Sequence, residues 1–260
     1  MQPAQAVRYQ STPAAARLWE VDTLRGVAVV MMIFFHFMWD LQYFNVADVN
    51  VFSTPWQLFA RGIGTSFTFL LGLSIVLRYE RDTKQPSTYV QAYRPYLQRG
   101  AIIFGLGMLI TVATYFAIGE GFVVFGILHL LGLSLILAYP FVYVRPLVNL
   151  ANGISVFMVG LYINMVRVDF PWLIWLGLAE QGRTMVDYYP LLPWFGAALI
   201  GVAAGQLCYP YGKRAFTLPD LGDFPLLRGL RFLGRHSLII YLVHQPIIIG
   251  VLIGFGFGSW

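Results

Sequence analysis

Four titratable side chains fall on one stripe of the first long apolar segment, VDTLRGVAVVMMIFFHFMWDLQYF. In a helix that turns about 100° per residue, Arg25 and His36 lie about 20° apart around the axis, and Asp22 and Asp40 lie within about 60° of Arg25. A titratable group inside a membrane span costs several kcal/mol, so it marks function by default. The stripe therefore indicates chemistry at this helix face.

The imidazole of His36 lies at a depth that suits catalysis inside a membrane. A rise of about 1.5 Å per residue puts it about 16 Å beyond Arg25, roughly half the thickness of the hydrocarbon core. Asp40, four residues later, is placed to orient the imidazole. We predict that His36 is the catalytic base or a nucleophile, and that Asp40 is its catalytic partner. The alternative is that His36 hydrogen-bonds a neighbouring helix and Asp40 lies at the outer interface.

A second histidine occurs at a matching depth in the last apolar segment, RHSLIIYLVHQP. His244 follows Arg235 by nine residues, or about 14 Å along a helix. Tyr241 precedes it on the same face and Gln245 follows it directly. We predict that these three side chains line one cavity with His36; structural hydrogen bonding between helices is the alternative.

A third histidine, His129, lies near the outer end of the fourth apolar segment. It could join the same cavity from the outer side, and a packing role is equally open.

The composition indicates an integral membrane protein. Charged residues make up 11% of the chain and hydrophobic residues 58%, whereas about 25% of the residues of a soluble domain are charged. The apolar residues come in blocks of about 20, the length that crosses a bilayer. We predict an all-α polytopic transmembrane helix bundle with about seven spans, at 24–45, 56–78, 99–117, 122–143, 147–166, 189–208 and 236–257.

The basic residues predict how the bundle is oriented. Fourteen of the 17 lysines and arginines fall in alternate connections, beginning with the N-terminal segment. The positive-inside rule therefore places the N-terminus in the cytosol and the C-terminus outside, and it accounts for the net charge of +5 without a nucleic-acid partner. The short apolar run 170–178 is interpreted as interfacial or re-entrant.

Cysteine and histidine usage argues against two further kinds of site. A single cysteine, Cys208, excludes an intrachain disulfide and a cysteine-cluster metal site. The histidines also lack metal-ligand spacing, so no catalytic metal is expected.

Three segments resemble a known family. The run Asp22-x-Leu24-Arg25-Gly26, with His36 eleven residues after the arginine, resembles the opening of the transmembrane acyltransferase superfamily. The segments RHSLIIYLVHQP and DYYPLLPWFG resemble the bacterial branch related to heparan-alpha-glucosaminide N-acetyltransferase. The resemblance covers nearly the whole chain, and the three segments in this order are fairly specific.

The resemblance implies an acetyl-CoA-dependent transmembrane N- or O-acetyltransferase of the bacterial cytoplasmic (inner) membrane. Its acyl donor would be cytosolic acetyl-CoA, and its acceptor an amino or hydroxyl group of an extracytoplasmic sugar or glycan. The superfamily's arginine and histidine correspond to Arg25 and His36. The basic residues that contact the coenzyme would correspond to Arg94 and Arg99, for which plain membrane anchoring is the alternative.

The other matched segment supplies two further candidates. Asp187 and Trp194 belong to DYYPLLPWFG and are predicted, with Asp22, to line the substrate cavity. The expected organisation is a cytosolic segment, 1–23, and a single acyltransferase domain, 24–260, in contact with membrane lipid; a homodimer is left open. The rival functions are a proton-coupled transporter or flippase that uses the His/Asp stripe, and a non-catalytic scaffold.

Overall fold

The computed structural model describes residues 18–82, 88–180, 182, 184–219, 221 and 224–257. Part of the predicted segment 1–23, and four basic residues used in the orientation argument, lie outside the described residues: Arg8, Arg17, Lys84 and Arg183.

The described chain folds into eight α-helices with little else, which confirms the all-α polytopic bundle. The helices are α1 Trp19–Tyr43, α2 Thr54–Asp82, α3 Tyr89–Ile118, α4 Ile127–Ala138, α5 Pro146–Ile163, α6 Leu191–Cys208, α7 Pro225–Arg235 and α8 Ser237–Gly254. Two short 3₁₀ segments, Tyr139–Tyr143 and Pro210–Gly212, follow α4 and α6. Two-residue parallel strands, β1 Arg167–Val168 and β2 Ala179–Glu180, pair between α5 and α6.

Six of these helices are long and apolar enough to cross a membrane, namely α1, α2, α3, α5, α6 and α8. They correspond to six of the seven predicted spans. The fourth predicted span, 122–143, is shorter in the structure, because its helix begins at Ile127 and ends in the 3₁₀ segment. The run 170–178 forms turns, and its backbone accepts hydrogen bonds from the first two residues of α6.

Helices α2 and α6 form the centre of the bundle, with α4 packed against both. Close approach of backbones makes this possible: a Cβ atom at Gly72 of α2 would overlap the carbonyl oxygen of Ala198 in α6, and one at Gly201 would overlap that of Phe69. Small residues are typical of such interfaces between membrane helices, where van der Waals contact replaces the hydrophobic effect. Large apolar side chains on α3 and α5 face outward.

Helix α7 was not predicted, since the sequence from 209 to 235 was interpreted as a basic connection. It packs antiparallel to α1, with Gly26 against Leu230 and Gly234 against Asp22. Its eleven residues are too few for a span. The chain then reverses, so that α8 also runs beside α1. The end of the bundle where α1 begins is called the Arg25 end below, and the other the Asp40 end.

We expect Gly26→Ala to destabilise the protein, because the added methyl group meets the backbone carbonyl of Leu230, which cannot rotate away. Overpacking of this kind costs about 1–3 kcal/mol. The measurement is thermal unfolding of the purified protein in detergent. Gly105→Ala is the matched control, since nothing lies within 4 Å of its added Cβ and alanine favours helix. Equal melting temperatures for the two variants would contradict the close α1–α7 contact.

Candidate active site

Five arginines line a cavity of about 310 Å³ at the Arg25 end of the bundle. They come from four helices and are Arg25, Arg78, Arg81, Arg99 and Arg235. Among the described residues of this lining, Asp22 is the only carboxylate. The cavity therefore presents an excess of positive charge, as a site for an anionic group does, and arginine suits bidentate contact with phosphate or carboxylate.

Two carboxylates in the first turn of α1, Glu20 and Asp22, form ion pairs with arginines at and near this cavity. Asp22 accepts hydrogen bonds from Arg25 Nη1 at 3.2 Å and from Arg235 Nε at 3.1 Å. Glu20 accepts from Arg214 Nε and Nη2, each at 2.7 Å. Acidic groups are stabilised at a helix N-terminus by the helix dipole. These ion pairs tie α1 both to the segment after α6 and to the end of α7.

The inner part of the cavity is apolar and includes one hydroxyl-bearing ring. Ile127 and Leu128, at the start of α4, lie there with Tyr241 of α8. Asp187 lies beside these residues. Its Oδ2 accepts hydrogen bonds from the Ile127 N–H at 3.0 Å and from the Tyr241 hydroxyl at 3.5 Å. The pKa of Asp187 is raised to about 6, because its burial disfavours the charged form. The two hydrogen bonds favour the charged form and make this rise smaller.

Two imidazoles form a hydrogen-bonded pair close to this point. His36 Nδ1 of α1 lies 2.9 Å from His244 Nε2 of α8. The His244 ring lies 5.7 Å from the Tyr241 ring, centre to centre. This confirms that the two histidines share a depth, although the cavity lining stops at Tyr241 and includes neither of them. The pair is called the His36–His244 dyad below.

The hydrogen bonds of the dyad determine which nitrogen can act as a base. His244 Nδ1 lies 2.7 Å from the carbonyl oxygen of Tyr241, which can only accept, so Nδ1 carries the proton. A neutral His244 then has its lone pair on Nε2 and accepts from His36 Nδ1–H. The lone pair of neutral His36 is therefore on Nε2. The structure thus assigns His36 Nε2 as the basic atom of the dyad.

Asp40 has a different partner from the one its spacing suggests. Its Oδ1 accepts a hydrogen bond of 2.8 Å from Gln245 Nε2, the residue after His244. The side chain is 1% exposed. Among the described side chains, the one that hydrogen-bonds the His36 ring is that of His244. Orientation of His36 in this structure therefore comes from α8.

The structure brings most of the predicted site residues together. Those at the cavity are Asp22, Arg25, Arg99 and Tyr241, with Asp187 against Tyr241. Those at the dyad are His36, Asp40, His244 and Gln245.

Three predicted site residues lie elsewhere. Arg94 is exposed on α3 and outside the described cavity lining. His129 is buried, where its Nδ1 accepts from the Gly126 N–H at 3.2 Å and its Nε2 faces Thr111 Oγ1 at 3.4 Å, so both nitrogens are engaged at the start of α4. Trp194 is buried in the core, 5.2 Å from the Tyr189 ring. None of the three reaches the dyad.

Three of the five cavity arginines were not predicted as site residues, namely Arg78, Arg81 and Arg235. Each was counted only as evidence for orientation, because a basic residue at a helix end has the same signature whether it anchors the helix or binds a ligand. No group of three or more histidine, cysteine or acidic side chains suited to a metal ion occurs in the part of the chain that the structure describes.

Comparison with known proteins identifies a family for this chain. The sequence matches the family described as "Heparan-alpha-glucosaminide N-acetyltransferase, catalytic" over residues 17–246. No curated protein and no solved structure gives a significant match. The matched range includes every described residue that lines the cavity and both histidines of the dyad. The family match does not favour the transporter alternative. The chain belongs to the family of the heparan-alpha-glucosaminide N-acetyltransferase catalytic domain, membrane acetyltransferases that act on carbohydrate.

Proposed function

We propose that this protein transfers an acetyl group from acetyl-CoA to an amino or hydroxyl group of a sugar or glycan on the other side of the membrane. The observation that supports the proposal most is the position of the His36–His244 dyad, next to the inner end of an arginine-lined cavity. The family match supports the reaction class independently.

The cavity suits the acyl donor in both charge and shape. Acetyl-CoA carries several phosphate charges at one end and a neutral pantetheine arm that ends in the thioester. The phosphates would lie against the arginines at the mouth, where each charge-assisted hydrogen bond is stronger than a neutral one. The apolar inner lining, with Ile127, Leu128 and Leu131, suits the arm.

The two ends of the bundle would then serve the two substrates. The Arg25 end is proposed to face the cytosol, where acetyl-CoA is found, since the basic residues are concentrated there. The acceptor would approach from the Asp40 end. The arm would bring the thioester past Tyr241 towards the dyad, so that neither substrate crosses the bilayer completely.

The dyad can supply the proton transfer that the reaction needs. His36 Nε2 takes the proton from the acceptor O–H or N–H as its oxygen or nitrogen attacks the thioester carbonyl carbon. The C–S bond breaks, and the CoA sulfur receives that proton from the His36 imidazolium. His244 Nε2 accepts from His36 Nδ1–H throughout, which holds the ring in place and stabilises its positive charge.

His36→Ala is expected to abolish acetyl transfer, because it removes the Nε2 atom that takes the proton from the acceptor, and the lone pair of His244 lies one ring further from that position. The assay measures release of free thiol from acetyl-CoA in the presence of amino sugars and other sugars, with purified protein in detergent. Loss of general base catalysis reduces turnover by about 10²–10⁴-fold. Binding of acetyl-CoA should stay within error of the unsubstituted protein, and the variant should still unfold cooperatively, although loss of the hydrogen bond to His244 lowers its melting temperature. Near-normal turnover would refute the role assigned to His36.

Two substitutions of His244 should differ in a way that a purely structural role would not produce. His244→Gln keeps an oxygen that can accept from His36 Nδ1–H, whereas His244→Leu offers no acceptor. We expect turnover to fall in the order unsubstituted, Gln, Leu, with the leucine variant at least tenfold below the glutamine variant. Equal turnover in both variants, at equal protein stability, would show that the hydrogen bond does not matter.

Arg99→Ala is expected to weaken the donor site, since it removes one of the positive charges at the cavity mouth. A lost hydrogen bond to a charged group is worth about 1.5–3 kcal/mol, so the KM for acetyl-CoA should rise at least tenfold. The matched control is Arg145→Ala, which removes an exposed arginine at the N-terminus of α5, outside the described lining. An equal KM in the two variants would contradict the proposed phosphate contact.

A further inference from the structure

Two buried hydrogen-bond acceptors beside the dyad have no donor in the described part of the chain. They are Asp40 Oδ2 and Gln245 Oε1. Each belongs to a side chain whose other terminal atom is engaged, since Gln245 Nε2 donates to Asp40 Oδ1 at 2.8 Å. Asp40 is 1% exposed, so its free oxygen cannot be satisfied by open solvent.

Such atoms are unusual because they are costly. A buried polar group without a partner costs about 1–3 kcal/mol, and more when it is charged, so most buried groups in proteins are paired. If Asp40 and Gln245 served only to join α1 to α8, we would expect all of their buried polar atoms to have hydrogen-bond partners. Two adjacent unpaired acceptors therefore indicate that the donors come from a bound molecule.

The orientation of the Gln245 amide follows from its partner. Gln245 turns its NH₂ group towards Asp40, since Nε2 donates to Asp40 Oδ1 at 2.8 Å. The amide oxygen is then directed away from that contact. Asp40 and Gln245 therefore form one hydrogen-bonded pair, joined by the Gln245 NH₂ group. The two free oxygens of this pair, Asp40 Oδ2 and Gln245 Oε1, can both accept a hydrogen bond from a bound molecule.

This unit lies next to the basic atom of the site. Asp40 follows His36 by one helical turn, a rise of about 6 Å, and Gln245 follows His244 directly in α8. It also lies towards the Asp40 end, opposite the arginine cavity. A molecule bonded to the two oxygens would thus be adjacent to the His36 ring on the side away from the donor site.

We propose that Asp40 Oδ2 and Gln245 Oε1 bind an O–H or N–H group of the acceptor sugar and hold it beside His36. This inference rests on the proposed function and adds to it the acceptor subsite. The chemistry required of the ligand is a hydrogen-bond donor, which either a hydroxyl or an ammonium group supplies. Asp40 is then a binding residue for the acceptor, instead of the orienting partner of His36.

The test compares Asp40→Asn and Gln245→Met with the unsubstituted protein, using glucosamine and glucose as acceptors. Each variant loses a free acceptor without a large change in side-chain size, and Gln245→Met also removes the donor to Asp40 Oδ1. We expect the KM for the acceptor to rise at least tenfold in each variant. The Kd for acetyl-CoA, measured by equilibrium dialysis, should change by less than twofold, since the donor cavity does not include either residue.

Asp48→Asn is the matched control, because Asp48 lies in the loop that follows α1 at the same end of the bundle and outside the dyad. Its KM for both sugars should equal that of the unsubstituted protein. A larger effect of Asp40→Asn on glucosamine than on glucose would identify an ammonium ligand, and equal effects a hydroxyl ligand; either supports the subsite. An unchanged acceptor KM, or an equal loss of donor affinity, would overturn it.

Direct binding of the sugars, measured by calorimetry without acetyl-CoA, separates this inference from the proposed function. If the unsubstituted protein binds a sugar that Asp40→Asn does not, the subsite is supported even where no acetyl transfer occurs. If the unsubstituted protein binds neither sugar at millimolar concentration, the subsite is overturned. Melting temperatures of both variants show whether a loss of binding reflects unfolding; Gln245→Met, which keeps the carboxylate, decides the result if Asp40→Asn does not fold.

Discussion

The hydrogen bond between His36 and His244 depends on how closely α8 can approach α1. That approach is prepared by α7, which packs along the first half of α1 through Gly26 and Gly234 and returns the chain to the Arg25 end before α8 begins. Arg235, the last residue of α7, then binds Asp22, which holds the end of α7 against α1 two residues before α8 begins. Since α1 and α8 then run side by side from the Arg25 end, His36 and His244 come to lie at the same height in the bundle. Backbone packing at two glycines therefore determines the geometry of the base.

Charge is distributed along the same helices in a way that separates the two substrates. Asp22 is bonded to two arginines at the cavity, so these cations are held in place while three further arginines remain at the mouth. Beyond Tyr241 the polar groups are imidazoles, a carboxylate and an amide. A strongly anionic molecule is favoured on one side of the dyad and a neutral or cationic one on the other. The dyad lies where the two kinds of environment meet.

The periodic features of the fold could be predicted from the sequence. Six spans were found because a run of about 20 apolar residues is typical of a membrane helix and rare elsewhere. The stripe of α1 was found because helical spacing places side chains on a face without knowledge of the neighbours. The depth of His244 followed from the same count. These properties belong to single helices.

Specific contacts between elements were not predicted. The spacing of His36 and Asp40 suggested a contact within α1, yet both side chains bond residues of α8. The contact between Asp187 and Tyr241 joins a loop to a helix 54 positions away, and nothing local specifies it. Helix α7 was missed since eleven residues are too few for a span and its arginines resemble an ordinary basic connection.

The two histidines of the dyad are separated by 208 positions, and they come from the first and the last helices of the bundle. During synthesis α1 would enter the membrane early, with a titratable imidazole and a carboxylate whose partners have not yet been translated. The buried polar face of α1 must then be covered by water, lipid headgroups or insertion factors until the ribosome has completed α8. The reactive centre therefore cannot assemble before α8 is inserted, so a nascent chain that stops short of α8 holds His36 without its hydrogen-bond partner.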